Sequence, residues 1–305
     1  WLIMLYRIRQ GDSNGEPVLL CHGFSSNHWN LNVPRGESIA DYLAAQGYDC
    51  WAIDLRGTRS STPPFGTPRH RATFDGYVME DLPTAIAHIR SVTGHEQVHW
   101  VGHSLGGTLL YAYELVHGGA QIASGTTIGS PTGLQPTWPA WQSKLIRTME
   151  VIPGVFAVIQ RWIAPLHAWA KPKTRMVPVD WENLNPRFGI AEFYSAVETP
   201  PGPVTRTMEE WARHQYLAVD NDRANVLSGL GKLQAPLLVV ACPLDPIISA
   251  SALREFFDRL PSGDKRFLEL SRANGCERDH DHIDPPFAKN AATEKKARLT
   301  AETLA

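Results

Sequence analysis

Cysteine is scarce in this sequence. Four cysteines in 305 residues are too few for a disulfide scaffold in a chain of this length. Cys21, Cys50 and Cys242 each lie in or beside an apolar run, which predicts buried thiols. The sequence leaves open whether Cys242 pairs with Cys276.

Long basic runs and long apolar runs are also missing. The net charge of -2 comes from 29 basic and 31 acidic residues, so we expect neither nucleic acid nor an anionic membrane as the main partner. The best candidate for a membrane span, Leu145 to Trp169, is interrupted by charges and prolines. The opening WLIMLYRI lacks a charged region and a cleavage site, so it predicts a first strand rather than a signal peptide. We expect a cytoplasmic protein without a membrane span.

What the chain does contain is a series of short apolar runs with helix-like segments between the early ones, at Ser38 to Gln46 and Gly76 to Thr93. The runs are Pro17 to Cys21, Asp49 to Ile53, Val98 to Val101, Gly125 to Ile128, Leu237 to Cys242 and Arg266 to Leu270. Strands that alternate with helices predict an α/β fold with a parallel sheet covered on both faces.

The alternation breaks between residues 131 and 222. This region is rich in proline and has no convincing strand, so we predict a helical cap between two parts of the core, 1–130 and 223–305. Such an insertion covers the carboxyl ends of the strands, where ligands bind in open α/β sheets. Its aromatic composition suits a hydrophobic ligand, and its tryptophans include Trp138, Trp141, Trp162, Trp169 and Trp181.

The stretch Gly102-His103-Ser104-Leu105-Gly106 has the pattern G-x-S-x-G. In this pattern the serine is a nucleophile when a strand leads in and a helix leads out, because the tight turn lifts its Oγ out of the sheet. The run Val98 to Val101 provides the strand, and Thr108 to Val116 predicts the helix. We therefore interpret Ser104 as a nucleophile rather than as an ordinary turn residue.

A serine nucleophile needs a base, and the base needs an acid that orients it. Asp245 follows a late strand and is the candidate acid, whereas Asp279, Asp281 and Asp284 are too close in sequence to the histidines to reach around a ring easily. The loop CERDHDHIDPP holds two candidate bases, His280 and His282, and we expect the other histidine to lie on the surface. This His and Asp cluster lacks the spacing of zinc and calcium sites, so we expect no metal.

Acyl transfer also needs two N–H donors for the oxyanion. The residue after the nucleophile, Leu105, offers one backbone N–H. His22 and Gly23 directly follow an early strand, and the glycine permits a turn that aims the Phe24 N–H at the same site. We expect Leu105 and Phe24 to form the oxyanion hole.

Together, HGF at 22–24, D-x-R-G at 54–57, GHSLGG at 102–107, Asp245 and His282 make the chain resemble an α/β-hydrolase. It is most similar to serine esterases and lipases with a helical cap, loosely to the acid lipase and lysophospholipase branches. The resemblance implies a sheet of about eight mostly parallel strands, a triad of Ser104, Asp245 and His282, and no cofactor. It favours His282 over His280 as the base.

The expected function is cleavage of small hydrophobic carboxylic esters through an acyl-enzyme. The same triad could act on an amide, a lactone or a carbon–carbon bond, and the fold could also serve as a binding protein without catalysis. The sequence does not determine the natural substrate or the oligomeric state.

Overall fold

The computed structural model describes residues 1–11, 14–33, 38–58, 60–133, 195–221 and 223–287. Within these ranges seven strands form one sheet. They are β1 Met4–Ile8, β2 Pro17–Cys21, β3 Asp49–Asp54, β4 Val98–His103, β5 Ile122–Ile128, β8 Leu237–Ala241 and β9 Lys265–Glu269. Their order across the sheet is β1-β3-β2-β4-β5-β8-β9. Only β1 is antiparallel to its neighbour, so the mostly parallel sheet and the strand at the start of the chain are both confirmed.

The central strands are buried on both faces, and successive side chains enter different cores. In β2, Leu19 belongs to one hydrophobic cluster, whereas Val18 and Leu20 belong to a cluster on the other face. This alternation explains why these strands appear in the sequence as continuous apolar runs. All four cysteine side chains are buried thiols.

Helices cover both faces of this sheet. They are α1 Ile39–Ala45, α2 Phe74–Gly76, α3 Leu82–Thr93, α4 Leu105–His117, α5 Gly202–His214, α6 Val226–Gly229, α7 Ala250–Arg259 and α8 Asp284–Phe287. A short π-helix at Tyr77–Asp81 joins α2 to α3. Helix α1 begins where Ser38 and Asp41 form a reciprocal capping box. No helix among the described residues is both long enough and apolar enough to cross a membrane.

Most of the predicted cap lies outside the described residues, which leaves out 134–194 with the tryptophans Trp138, Trp141, Trp162, Trp169 and Trp181. Its described end contains α5 and the strand β6 Ala218–Val219, which pairs with β7 Ala224–Asn225. The expectation that 131–222 contains no strand is wrong here. The side chain of Val219 is fully buried in the core, and this packing gives a short pair that the apolar pattern does not reveal.

Candidate active site

Ser104 lies in the turn between β4 and α4. Its backbone has φ 53° and ψ -120°, a combination that side-chain-bearing residues adopt only where the surroundings enforce it. Its N–H donates to the carbonyl of Ile128 on the neighbouring strand at 2.8 Å. Helix α4 begins at Leu105, three residues earlier than the sequence predicts, because the turn is completed within a single residue.

The glycines around Ser104 allow the start of α4 to pass close to the sheet. A Cβ atom on Gly106 would lie 2.1 Å from the carbonyl oxygen of Cys21 in β2. A Cβ on Gly102 would lie 2.5 Å from backbone atoms of Gly106, and one on Gly107 would lie 2.0 Å from the Oγ of Ser130. Since a real Cβ never approaches other atoms so closely, any larger residue at these three positions would displace backbone or buried side chains.

His282 and Asp245 meet Ser104 at the carboxyl edge of the sheet. The Nε2 of His282 lies 2.8 Å from the Oγ of Ser104, and its Nδ1 lies 2.7 Å from the Oδ2 of Asp245. The other carboxylate oxygen of Asp245 accepts the N–H groups of Ile247 at 2.8 Å and Ile248 at 3.0 Å. All three side chains are buried, so the hydrogen bonds are formed where water competes little.

Gly129 is part of this arrangement, and the sequence reasoning missed it. It follows β5 with φ 54°, and a Cβ there would lie 3.1 Å from the Oδ2 of Asp245 and 3.2 Å from the Nδ1 of His282. A side chain at this position would therefore crowd the contact between acid and base. The signal in the sequence is a glycine directly after a strand that neighbours the one leading to Ser104.

The expectation that one of the two loop histidines lies on the surface is wrong. His280 and His282 are both buried, with 2% and 4% of their surface exposed. The backbone of His280 bonds to Leu270 and Leu244, which follow the last two sheet strands, and these bonds hold the residue against the sheet edge. Its Nδ1 lies 3.8 Å from the Oδ2 of Asp284, whereas the contact to Ser104 is made by His282.

The three rival carboxylates of the same loop have other contacts. Asp279 accepts the N–H of Arg272 at 2.8 Å, and Asp281 accepts the N–H groups of Ile283 and Asp284. Asp284 in turn accepts the N–H of Asp281 at 3.3 Å. Burial, and then the neighbouring Asp284, raise the pKa of Asp281 to about 9, so this carboxyl is neutral at neutral pH. Within the described ranges, no three His, Cys, Asp or Glu side chains form a group that could hold a metal ion.

The two expected oxyanion donors line one pocket. Phe24 and Leu105 both contribute to its wall, together with Gly23. Leu105 is the first residue of α4, so its N–H has no partner within the helix. A Cβ on Gly23 would lie 3.1 Å from the Cβ of Ser104, which places the backbone of this loop directly against the serine.

His22 fixes the start of the same loop. Its Nε2 accepts the N–H of Leu55 at 3.3 Å, so its Nδ1 carries the hydrogen and donates to the carbonyl of Gly23 at 2.8 Å. Burial lowers the pKa of His22, which keeps this neutral tautomer. The role of His22 is thus to hold the loop backbone.

A second segment braces this loop, and the sequence did not indicate it. Ser26 pairs with Val197 in a β-bridge, and the side chain of Asn27 donates to the Ser195 carbonyl at 2.8 Å and to the Glu198 carboxylate at 2.9 Å. These contacts join residues about 170 positions apart in the chain, so no local pattern reveals them. The loop that bears Phe24 is thereby tied to the described end of the predicted cap.

A sequence model of the alpha/beta hydrolase fold matches residues 16–273. The chain is 38% identical over 104 residues to triacylglycerol lipase 2 of Arabidopsis thaliana, an alignment that covers 32% of this chain and 24% of the relative. It is 36% identical over 122 residues to gastric triacylglycerol lipase of Rattus norvegicus, covering 36% of this chain and 31% of that relative. The matched part is thus about a quarter to a third of these curated relatives.

Solved structures resemble this one over nearly its whole length. The monoacylglycerol lipase of Paleococcus ferrophilus aligns with a TM-score of 0.60 at 15% identity, over 100% of this chain and 97% of that one. A thermophilic esterase from Thermogutta terrifontis aligns with a TM-score of 0.60 at 18% identity, over 98% and 90% of the two chains. At such low identity the likeness concerns the fold. The family match over most of the sequence, together with this fold, shows that the chain belongs to the alpha/beta hydrolase fold family.

Proposed function

We propose that this protein is a serine hydrolase that cleaves carboxylic esters through an acyl-enzyme. The observation that carries the proposal is the continuous row from the Oγ of Ser104 through His282 to Asp245, with spacings of 2.8 and 2.7 Å. A serine and a base within hydrogen-bond reach, with the base held by a third group, are the arrangement that activates a hydroxyl. The likeness to lipases supports the same reaction.

The contact with Asp245 selects the useful tautomer of His282. The ionised carboxylate can only accept, so the Nδ1 of His282 carries the hydrogen and its Nε2 offers a lone pair to the Ser104 hydroxyl. As Ser104 Oγ attacks the ester carbonyl, its proton moves to Nε2. The resulting imidazolium is stabilised by the carboxylate beside it.

The same proton completes the first half of the reaction. The tetrahedral intermediate collapses, the bond between the carbonyl carbon and the alcohol oxygen breaks, and Nε2 of His282 returns the proton to that oxygen. A water molecule then repeats these steps on the acyl-serine and releases the acid. The N–H groups of Leu105 and Phe24 would stabilise the oxyanion in both halves, and one such donor is worth about 10²- to 10³-fold in kcat.

We further propose that the substrate is hydrophobic and that residues 131–222 form a cap over it. The pocket beside the oxyanion donors has apolar residues on both sides, Phe24, Leu55 and Leu105 from the core and Pro200 and Val204 from the predicted cap, among polar ones such as Thr58 and Glu198. These apolar side chains would favour an apolar acyl or alcohol group, because contact with them removes it from water.

The first test is covalent labelling with a fluorophosphonate. The wild-type protein is expected to react at Ser104, and Ser104→Ala is expected to abolish the label. Ser130→Ala is a matched control, because Ser130 is also buried, follows the neighbouring strand, and bonds to the Ile128 carbonyl rather than to the histidine. Undiminished labelling of Ser104→Ala would refute the proposal.

A panel of p-nitrophenyl esters of increasing chain length tests the bond and the hydrophobic substrate. We expect kcat/KM to rise with acyl length until the pocket is filled. If Ser104 is labelled but no ester in the panel is hydrolysed, the ester assignment is wrong and the triad acts on another bond, such as an amide, a lactone or a carbon–carbon bond.

A further inference from the structure

His103, the residue before Ser104, makes a contact that the proposed reaction does not use. Its side chain is buried, with its Nε2 2.8 Å from the backbone carbonyl oxygen of His282. Its Nδ1 lies 3.0 Å from the Oδ1 of Asn30, and the same oxygen accepts the N–H of Gly23 at 3.1 Å. The ring therefore stands between the loop that bears the oxyanion donor Phe24 and the loop that bears His282.

Hydrogen-bond chemistry determines the direction of the contact with His282. A carbonyl oxygen can only accept, so the Nε2 of His103 carries a hydrogen and donates it. Burial, and then the charge of His282, lower the pKa of His103 to about 3, whereas the Asn30 oxygen on the other side favours a second hydrogen. The neutral ring has one hydrogen for these two acceptor oxygens: the tautomer with that hydrogen on Nε2 donates to His282, and the doubly protonated ring donates to both.

We propose that His103 is a positioning residue, whose Nε2–H holds the backbone of His282 and so sets the imidazole at its distance from Ser104. This inference rests on the proposed function of Ser104 and His282. His103 and Ser104 are joined by a peptide bond, and both contact His282, one at its carbonyl and one at its ring. The peptide bond and the two contacts form a closed cycle around the reacting atoms.

This closed cycle of contacts matters because His282 lies outside regular secondary structure. Residues 275–283 contain neither helix nor strand, so the carbonyl contact replaces the regular backbone pairing that would otherwise hold the residue. A displacement of about 1 Å between reacting groups can cost about 10²-fold in rate. Loss of the His103 donor should therefore slow the chemistry more than it weakens substrate binding.

His99 provides a matched control on the same strand. It is 5% exposed, compared with 4% for His103, and burial lowers the pKa of both rings. Its partners are the Oγ of Ser124 at 2.8 Å and the carboxylate of Glu16 at 3.4 Å, at the opposite end of β4. A substitution there removes a buried histidine from the same sheet without touching the loop of His282.

Two substitutions at His103 test the contributions of its two ring nitrogens separately. The amide of Gln can place a donor near the position of Nε2, whereas the shorter Asn can only approach that of Nδ1. We expect His103→Asn to lower kcat for a p-nitrophenyl ester, and the rate of fluorophosphonate labelling, by about 10- to 100-fold with KM within about twofold. His103→Gln should recover most of this loss, and His99→Asn should lower Tm while leaving kcat unchanged.

Several outcomes would overturn the inference. One is a labelling rate in His103→Asn that equals the wild-type rate. Another is an equal loss of kcat in the Asn and Gln variants that is proportional to their loss of Tm. If His103→Asn does not fold, nitrogen-15 NMR of the histidine rings in the wild-type protein still decides, because an Nε2 of His103 without hydrogen contradicts the donor role. If the wild-type protein is not labelled at Ser104, the proposed function fails first, which distinguishes the two failures.

Discussion

Replacement of Asp245 by Asn should keep the architecture of the site but reverse the hydrogen bond that prepares His282. One carboxylate oxygen of Asp245 already accepts the N–H groups of Ile247 and Ile248, and the amide oxygen of Asn can take over both bonds. The NH₂ group of Asn must then face the Nδ1 of His282. His282 then carries its hydrogen on Nε2. This nitrogen faces Ser104 and can no longer accept the serine proton.

The size of the effect follows from two losses. If His282 keeps its hydrogen on Nδ1, this N–H faces the new amide NH₂ across the contact that is 2.7 Å long in the wild type. A buried donor without an acceptor costs about 1 to 3 kcal/mol. The charged hydrogen bond between imidazolium and carboxylate, worth about 1.5 to 3 kcal/mol, is also lost. Together they amount to about 2.5 to 6 kcal/mol, or about 10²- to 10⁴-fold in kcat.

The assay is steady-state hydrolysis of a p-nitrophenyl ester, with the fluorophosphonate labelling rate as an independent measure of Ser104 reactivity. Asp281→Asn is the matched control, because Asp281 is a buried carboxyl in the loop of His282 whose raised pKa already keeps it neutral. We expect the control to stay within about threefold of wild type. A kcat for Asp245→Asn within tenfold of wild type, or an equal loss in Asp281→Asn, would refute the reasoning.

Two further predictions concern stability. The folded-state pKa of Asp281 is raised from 3.8 to about 9, so its contribution to stability is fully present below pH 4 and is lost as pH rises toward 9. Asp281→Asn should therefore have a higher Tm than wild type at pH 8, with the gap closing toward pH 4, and a gap independent of pH would contradict the raised pKa. Gly106→Ala would place a Cβ 2.1 Å from the Cys21 carbonyl oxygen and should cost at least about 3 kcal/mol in urea unfolding, whereas Gly231→Ala, with no atom within 4 Å, should cost less than about 1 kcal/mol.

The sequence predicted the strands of the sheet well, because the central ones are short apolar runs buried on both faces. It predicted the start of α4 three residues too late, since the pattern of apolar side chains does not reveal that Ser104 alone completes the turn. It also missed β6, a two-residue strand too short to show any alternation. Both errors lie where one or two residues decide a boundary.

The residues of the candidate site were also only partly predictable from the sequence. G-x-S-x-G between a strand and a helix, and a later aspartate after a strand, are local patterns, so the sequence by itself was sufficient to select Ser104 and Asp245 as candidates. The choice between His280 and His282 was not local. The orientation of His282 depends on contacts with residues 37 and 178 positions away, and the sequence offered only a resemblance to decide between the two histidines.

By itself, then, the sequence determined the α/β fold, the elbow at Ser104 and the order of the candidate nucleophile, acid and base. Only the tertiary structure decided that His282 faces Ser104, that Gly129 leaves room for its contact with Asp245, and that His103 reaches the His282 carbonyl. The physical reason is that a strand or a turn is set by neighbours in the chain, whereas a hydrogen bond across the sheet edge depends on how distant loops pack.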